Sequence, residues 1–246
     1  MSRKMRAFTI LTLICASVLA HAADDFDLKV ANIDVLRDKN VQTELGVTEG
    51  QRKTMNVYAE KFTSANKAKV AEYQKANKKP DQPFVDYGRK QYIQLRTSVL
   101  KTLSPNQIKR LRELTLQAAG PRALLDKTVA DKVGMPTKDY STFCSAISEG
   151  DQKIAKIKAD VSDKIRAKYK DQKQPKTQKE GDALQAKLNA DLAAEMKKHE
   201  AEMKAVLQSS EAKTSKIVTK KYLETLKALM GKPFIAKQAP PKKLGK

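Results

Sequence analysis

His199 and Glu200 open the run His199-Glu200-Ala201-Glu202-Met203, which has the first two residues of a zinc-binding HExxH helix. The fifth position is Met203, so the second imidazole is missing. Glu195 lies four residues before His199, whereas a di-iron helix places its Glu three before the His. His199 continues an apolar row with Leu192 and Met196, and reads as a partly buried structural histidine. Cys144 neighbours Phe143 and Ile147 on an apolar helix pattern, which predicts a packed, inert thiol. Carboxylates are plentiful but lack a partner constellation, and no Gly-rich phosphate loop or Ser nucleophile motif occurs. These residues predict no catalytic site, no metal and no cofactor, and therefore a binding protein rather than an enzyme.

The remaining polar motifs start helices. In Leu103-Ser104-Pro105-Asn106-Gln107, Ser104 suits an N-cap and Pro105 the first helical position, where no backbone N–H is needed. Gln107 lies three residues after the cap and can reach back to the Ser104 N–H as a capping box. Leu103 and Ile108 have the spacing of a hydrophobic staple. Val47-Thr48-Glu49-Gly50-Gln51 repeats the pattern, with Thr48 and Gln51 in the capping roles.

These two pentapeptides resemble the LTxxQ motif of Spy-type periplasmic proteins. The stretches VQTELGVTEGQ, LSPNQIKRLREL and the late LMGKPF are similar to secreted helical bacterial proteins that carry the motif in repeats. The resemblance implies an all-helical, ATP-independent chaperone or envelope-stress protein. Two further places read as decayed copies: Pro136 to Asp139, and Leu207-Gln208-Ser209-Ser210-Glu211.

Stepping outward from the caps, the chain reads as a duplication. Leu36-Arg37-Asp38-Lys39-Asn40-Val41 matches Leu124-Leu125-Asp126-Lys127-Thr128-Val129 at an offset of 88, and Leu45-Gly46-Val47 matches Val133-Gly134-Met135. Ile33, Leu36, Val41 and Leu45 predict one short helix. Met55, Tyr58, Phe62, Ala65, Val70 and Tyr73 predict a long one from about Glu49 to Asn77, turned at Pro80 and Pro83. The return helix carries Tyr92, Leu95, Val99 and Leu103. In the second copy, Tyr140 to Tyr169 forms the outgoing helix and Leu184 to Met230 the return, with a break at Ser209-Ser210. The expected fold is all-α: two tandem units of long antiparallel hairpins, elongated. Residues 1–22 are expected to be a signal peptide, 23–120 the first unit, 121–238 the second and 239–246 a disordered basic tail. The duplication predicts a monomer whose units pack as a pseudo-dimer, a true dimer being the alternative.

The signal peptide has a basic start at Arg3, Lys4 and Arg6, an apolar stretch to Leu19 and the cleavage sequence Ala20-His21-Ala22, which predicts a periplasmic or secreted protein. Removing those three basic residues from the formal net charge of +21 leaves +18. The mature basic residues are 38 lysines against 8 arginines. A nucleic-acid site would use Arg forks and stacked aromatics, so no specific nucleic acid is expected. The expected partners are unfolded or envelope proteins, held on a basic amphipathic surface, or anionic polymers and the membrane surface.

Overall fold

A computed structural model describes residues 23–172, 175 and 177–235. The expected signal peptide and tail lie outside them. Every regular element among the described residues is helical, so the fold is all-α. The helices are α1 (Asp25–Val30), α2 (Lys39–Glu44), α3 (Glu49–Lys75), α4 (Gln82–Thr102), α5 (Pro105–Ala119), α6 (Lys127–Lys132), α7 (Thr137–Lys168), α8 (Gln178–Lys198), α9 (Glu200–Ser215) and α10 (Lys220–Leu229), with 3-10 turns at Ile33–Arg37 and Gly120–Leu125. The chain groups into two compact units: one takes the chain up to Leu28 with Val47–Lys109, the other Lys29–Gly46 with Arg110–Lys246.

In the first unit α3 and α4 form an antiparallel hairpin. Contacts step backward along α4 as they step forward along α3. Gln51 reaches the Thr102 carbonyl, the Tyr87 hydroxyl donates to the Ala65 carbonyl at 3.4 Å, and the Tyr73 and Phe84 rings meet edge-on at 4.8 Å. The tight end is made by side chains. Asp81 caps α4 through the Phe84 N–H and accepts the Tyr73 hydroxyl at 2.6 Å. That bond to a carboxylate pushes the Tyr73 phenol up to about 12 and Asp81 down.

In the second unit α7 runs antiparallel to α8 and α9. Tyr169 and Lys168 hold Asp191, Lys164 holds Glu195, and Lys213 holds Glu149 at 2.5 Å. Gly150 is what lets α9 approach, since a Cβ there would meet Ser210 at 3.1 Å. Phe143, Val161 and Ile165 are buried on the α7 seam. The chain end is gripped by α5: Arg112 donates to the Leu229 carbonyl, and the Gln117 amide donates to the Met230 and Lys232 carbonyls and accepts the Phe234 N–H.

Two expectations need correction. The short helix through Ile33 and Leu45 is a 3-10 turn and a separate α2, because the side chains of Asn32 and Asp38 accept backbone N–H groups two residues on and restart the chain. The Ser209-Ser210 break does not occur. Ser210 is buried and donates its hydroxyl to the Ala146 carbonyl of α7, so it does not compete with its own backbone. The return limb instead breaks at His199 and again after Ser215.

Glu195 has an exposure of only 9% in its side chain and takes salt bridges from Lys164 and Lys198. Lys164 first and Lys198 second lower its pKa to about 2. A lowered carboxylate pKa stabilises the fold above the unfolded value, about 4.3, and that contribution disappears as pH falls through the folded value. Acid titration of stability should therefore fall between about pH 4 and about pH 2, and Glu195→Gln should flatten that limb of a circular-dichroism melt series. An unchanged limb would mean that the two lysines do not hold this carboxylate.

Candidate functional site

The residues singled out as helix caps meet in space. Thr48 sits at the N-cap of α3, its Oγ1 accepting the Gln51 N–H at 3.2 Å, while the Gln51 Oε1 accepts the Thr48 N–H at 3.0 Å. Ser104 and Gln107 do the same at the start of α5, at 3.3 and 2.8 Å. The antiparallel hairpin brings these two helix starts together. The Gln51 Nε2 donates to the Gln107 Oε1 at 2.9 Å, and the Gln107 Nε2 donates back to the Gln51 Oε1 at 3.2 Å. The second Gln51 N–H donates to the Thr102 carbonyl at 2.7 Å. Gln51 thus uses two donors and accepts twice, and no other side chain of that length can do both.

The second copy has the same joint in different chemistry. The offset of 88 puts Asp126 on Asp38, and both cap a short helix with the same extended backbone, φ −78°. It puts Gly134 on Gly46, at φ +78° and +60°, the left-handed region where a helix ends on glycine. It also puts the start of α7 on the start of α3, with Pro136 where Thr48 stands. Asp139 replaces Gln51. Its partner is Tyr222, whose hydroxyl donates to the Asp139 Oδ2 at 3.2 Å. Tyr222 is the third residue after Thr219, whose Oγ1 accepts the Tyr222 N–H and caps α10. Val218-Thr219-Lys220-Lys221-Tyr222 is therefore the fourth member of the set. The stretch proposed for that role, Leu207 to Glu211, lies inside α9 and caps nothing. Burial and the Asp139 carboxylate together raise the Tyr222 pKa, burial contributing more.

The residues read for metal or thiol chemistry stay apart. His199 lies at the α8–α9 break, its Nδ1 2.9 Å from Glu202. Among the described residues no group of three or more His, Cys, Asp or Glu is placed to hold a metal ion. Cys144 is half-buried rather than packed away, because it lies one position round the helix from the buried Phe143. It neighbours Tyr140, and that contact is the main reason why the phenol's pKa is raised.

Shallow surfaces occur in each unit. A groove of ≈ 470 Å³ runs along α3 past Phe62, Asn66, Val70 and Gln74 in the first unit. Another, of ≈ 580 Å³, lies in the second unit between Val35, Val41, Leu114, Ala118 and Phe234. No helix among the described residues is long and apolar enough to cross a membrane. Comparison with protein-family profiles, curated proteins and solved structures gives no match.

The amide pair makes a specific demand. Gln51→Glu keeps the shape but removes both donors and turns a carboxylate on two carbonyl-type oxygens. It should cost about 2 kcal/mol at pH 7. The facing oxygens raise the carboxyl pKa in the folded state, so the loss should shrink as pH falls towards 4 and the group protonates. Urea melts at the two pH values check this. A loss that is the same at both would show that the amide donors do not matter.

Proposed function

We propose that this chain is a secreted or periplasmic, non-catalytic binding protein that holds partly unfolded polypeptides on the open face of its first hairpin, in a chaperone-like manner. The observation that carries this reading is the incomplete burial of that hairpin's apolar side chains. Val70, Val85 and Ile93 are exposed, and Tyr58, Phe62, Tyr87, Tyr92 and Leu95 are only half-buried. Two helices packed on each other cover one stripe of each and leave both flanks to solvent. On α4, Val85, Arg89, Tyr92 and Arg96 recur at helical spacing, so apolar and cationic groups share one flank. The pairing of Tyr73 with Phe84 brings Val70 level with Val85. Such a flank suits chain segments that expose apolar groups beside acidic ones.

The resemblance of Val47 to Gln51 and Leu103 to Gln107 to the Spy-type motif supports the same reading, as does the signal-like sequence of residues 1–22. A second reading, association with an anionic polymer or lipid, is favoured by lysines on α3 that have no ion-pair partner.

Aggregation of a neutral, denatured client, followed by light scattering at low and physiological salt, tests the first reading. Protection should survive physiological salt, because burial of apolar surface is not screened, and Ile93→Asp should reduce it severalfold. Protection that vanishes by 0.2 M salt, where the Debye length is below about 8 Å, would leave charge as the only attraction and reject the client reading.

A further inference from the structure

The two copies of the repeat differ in one exposed row. Along α3, Lys53, Val57, Lys61, Ala68, Ala71 and Lys75, with Ser64 between, follow one another at spacings of three and four and face solvent. The row spans about 33 Å at 1.5 Å per residue. None of its three lysines has an ion-pair partner among the described residues. Glu60 flanks the row, and Glu72 is taken up by Lys69 at 2.9 Å. The offset of 88 places Ser141, Ser145, Glu149, Lys156 and Asp163 at the matching exposed positions of α7. The buried positions correspond between the helices, Met55 with Phe143 and Tyr73 with Val161. The same face of the same element therefore carries three lysines with one carboxylate, Glu60, beside them in one copy, and two carboxylates with one lysine in the other. In the second copy those carboxylates are engaged, Glu149 by Lys213 and Asp163 by Arg166. Packing against α9 accounts for Glu149, but the three lysines of α3 make no such pairing among the described residues.

We propose that the outward row of α3 docks the protein on an anionic lipid surface. The row lies on the outer side of the helix, with Ala71 at the edge of the groove past Phe62 and Val70, and it matches an extended array of charge. Its cations are lysines, which attract phosphate as point charges without a fixed geometry. Between them stand Val57, Ala68 and Ala71, small enough to let the helix settle at the headgroup boundary while the lysine stems reach outward. Lys78 and Lys79, at the turn beyond α3, extend the positive end, and neither has an ion-pair partner among the described residues. With a formal charge of +21 on the chain, a second copy is repelled rather than recruited to this face. The docking reading does not depend on client binding, and its test contains no client.

The test is co-sedimentation of the protein with vesicles of phosphatidylglycerol and phosphatidylcholine, against vesicles of phosphatidylcholine alone. Binding is expected only to the anionic vesicles. Each lysine near such a surface contributes about fivefold to partition, so the triple variant Lys53→Gln, Lys61→Gln, Lys75→Gln should bind about a hundredfold more weakly. A charge-matched control, Lys179→Gln, Lys187→Gln, Lys197→Gln, should lose far less. All six lysines are exposed, and unchanged circular-dichroism melts verify that the variants fold. Equal losses in both triple variants would reduce the effect to net charge and overturn the assignment to α3. Absence of vesicle binding would also overturn it. Binding to soluble polyglutamate with none to vesicles would make the partner an acidic polypeptide instead.

Discussion

The reciprocal amide pair of Gln51 and Gln107 closes the base of the first hairpin. A hairpin of two long helices with no third layer has little to hold its far end shut. Its turn is fixed by Asp81 and Tyr73, about 33 Å away at 1.5 Å per residue. At the base, α4 ends and α5 begins within three residues, so the chain must leave the hairpin where α3 enters it. Gln51 meets three needs at once: it caps its own helix, binds the last carbonyl of α4 and grips the cap residue of α5. Each bond alone contributes about 1 kcal/mol. Converging on one side chain, they hold the starts of α3 and α5 and the end of α4 together at the base of the hairpin.

The second copy keeps that joint while changing its chemistry. Asp139 and Tyr222 span 83 residues, where Gln51 and Gln107 span 56. The added length is spent on a return limb in two helices, α8 and α9. A longer limb needs closer packing along its course, and α7 provides it with Ala146 and Gly150 against Ser210. The joint can then be simpler. One phenol-to-carboxylate bond, made by a buried tyrosine, brings apolar area that an amide pair lacks.

What could be read from the sequence follows from how local each signal is. The caps at Thr48 and Ser104 were legible because the capping box is a four-residue device. The long helices were legible from apolar spacing, and the matching caps and helix ends from Asp38 and Gly46 against Asp126 and Gly134. The meeting of Gln51 with Gln107 was not, because it depends on the register of a hairpin. Thr219 and Tyr222 were passed over because a tyrosine stands where glutamine was sought. Thr219 as a Thr N-cap ahead of an apolar-periodic run was the available signal. Ser209-Ser210 misled for the converse reason: serine tends to break helices only when its hydroxyl has no better partner, and here the better partner lies 64 residues away. The half-burial of Cys144 turns on a single step around the helix, finer than an apolar stripe resolves.

The two stretches that align at an offset of 88 can be compared position by position. Positions where the copies agree report what the fold requires: the aspartate cap, the left-handed glycine, the buried side chains at Met55 and Phe143, and a polar bridge between two helix starts. Positions where they differ without structural cause report something else. At the joint the difference is explained by the length of the return limb. On the outward row it is explained only in part: Glu149 of α7 pairs with Lys213 of α9, while Lys53, Lys61 and Lys75 of α3 have no ion-pair partner among the described residues, and exposed charge contributes little to stability. The first arm exposes Val70, Val85 and Ile93 on its hairpin, and Lys53, Lys61 and Lys75 on α3 have no ion-pair partner among the described residues. The second, with its cross-helix ion pairs at Glu195, Asp191 and Glu149, directs much of its charge inward to its own return limb.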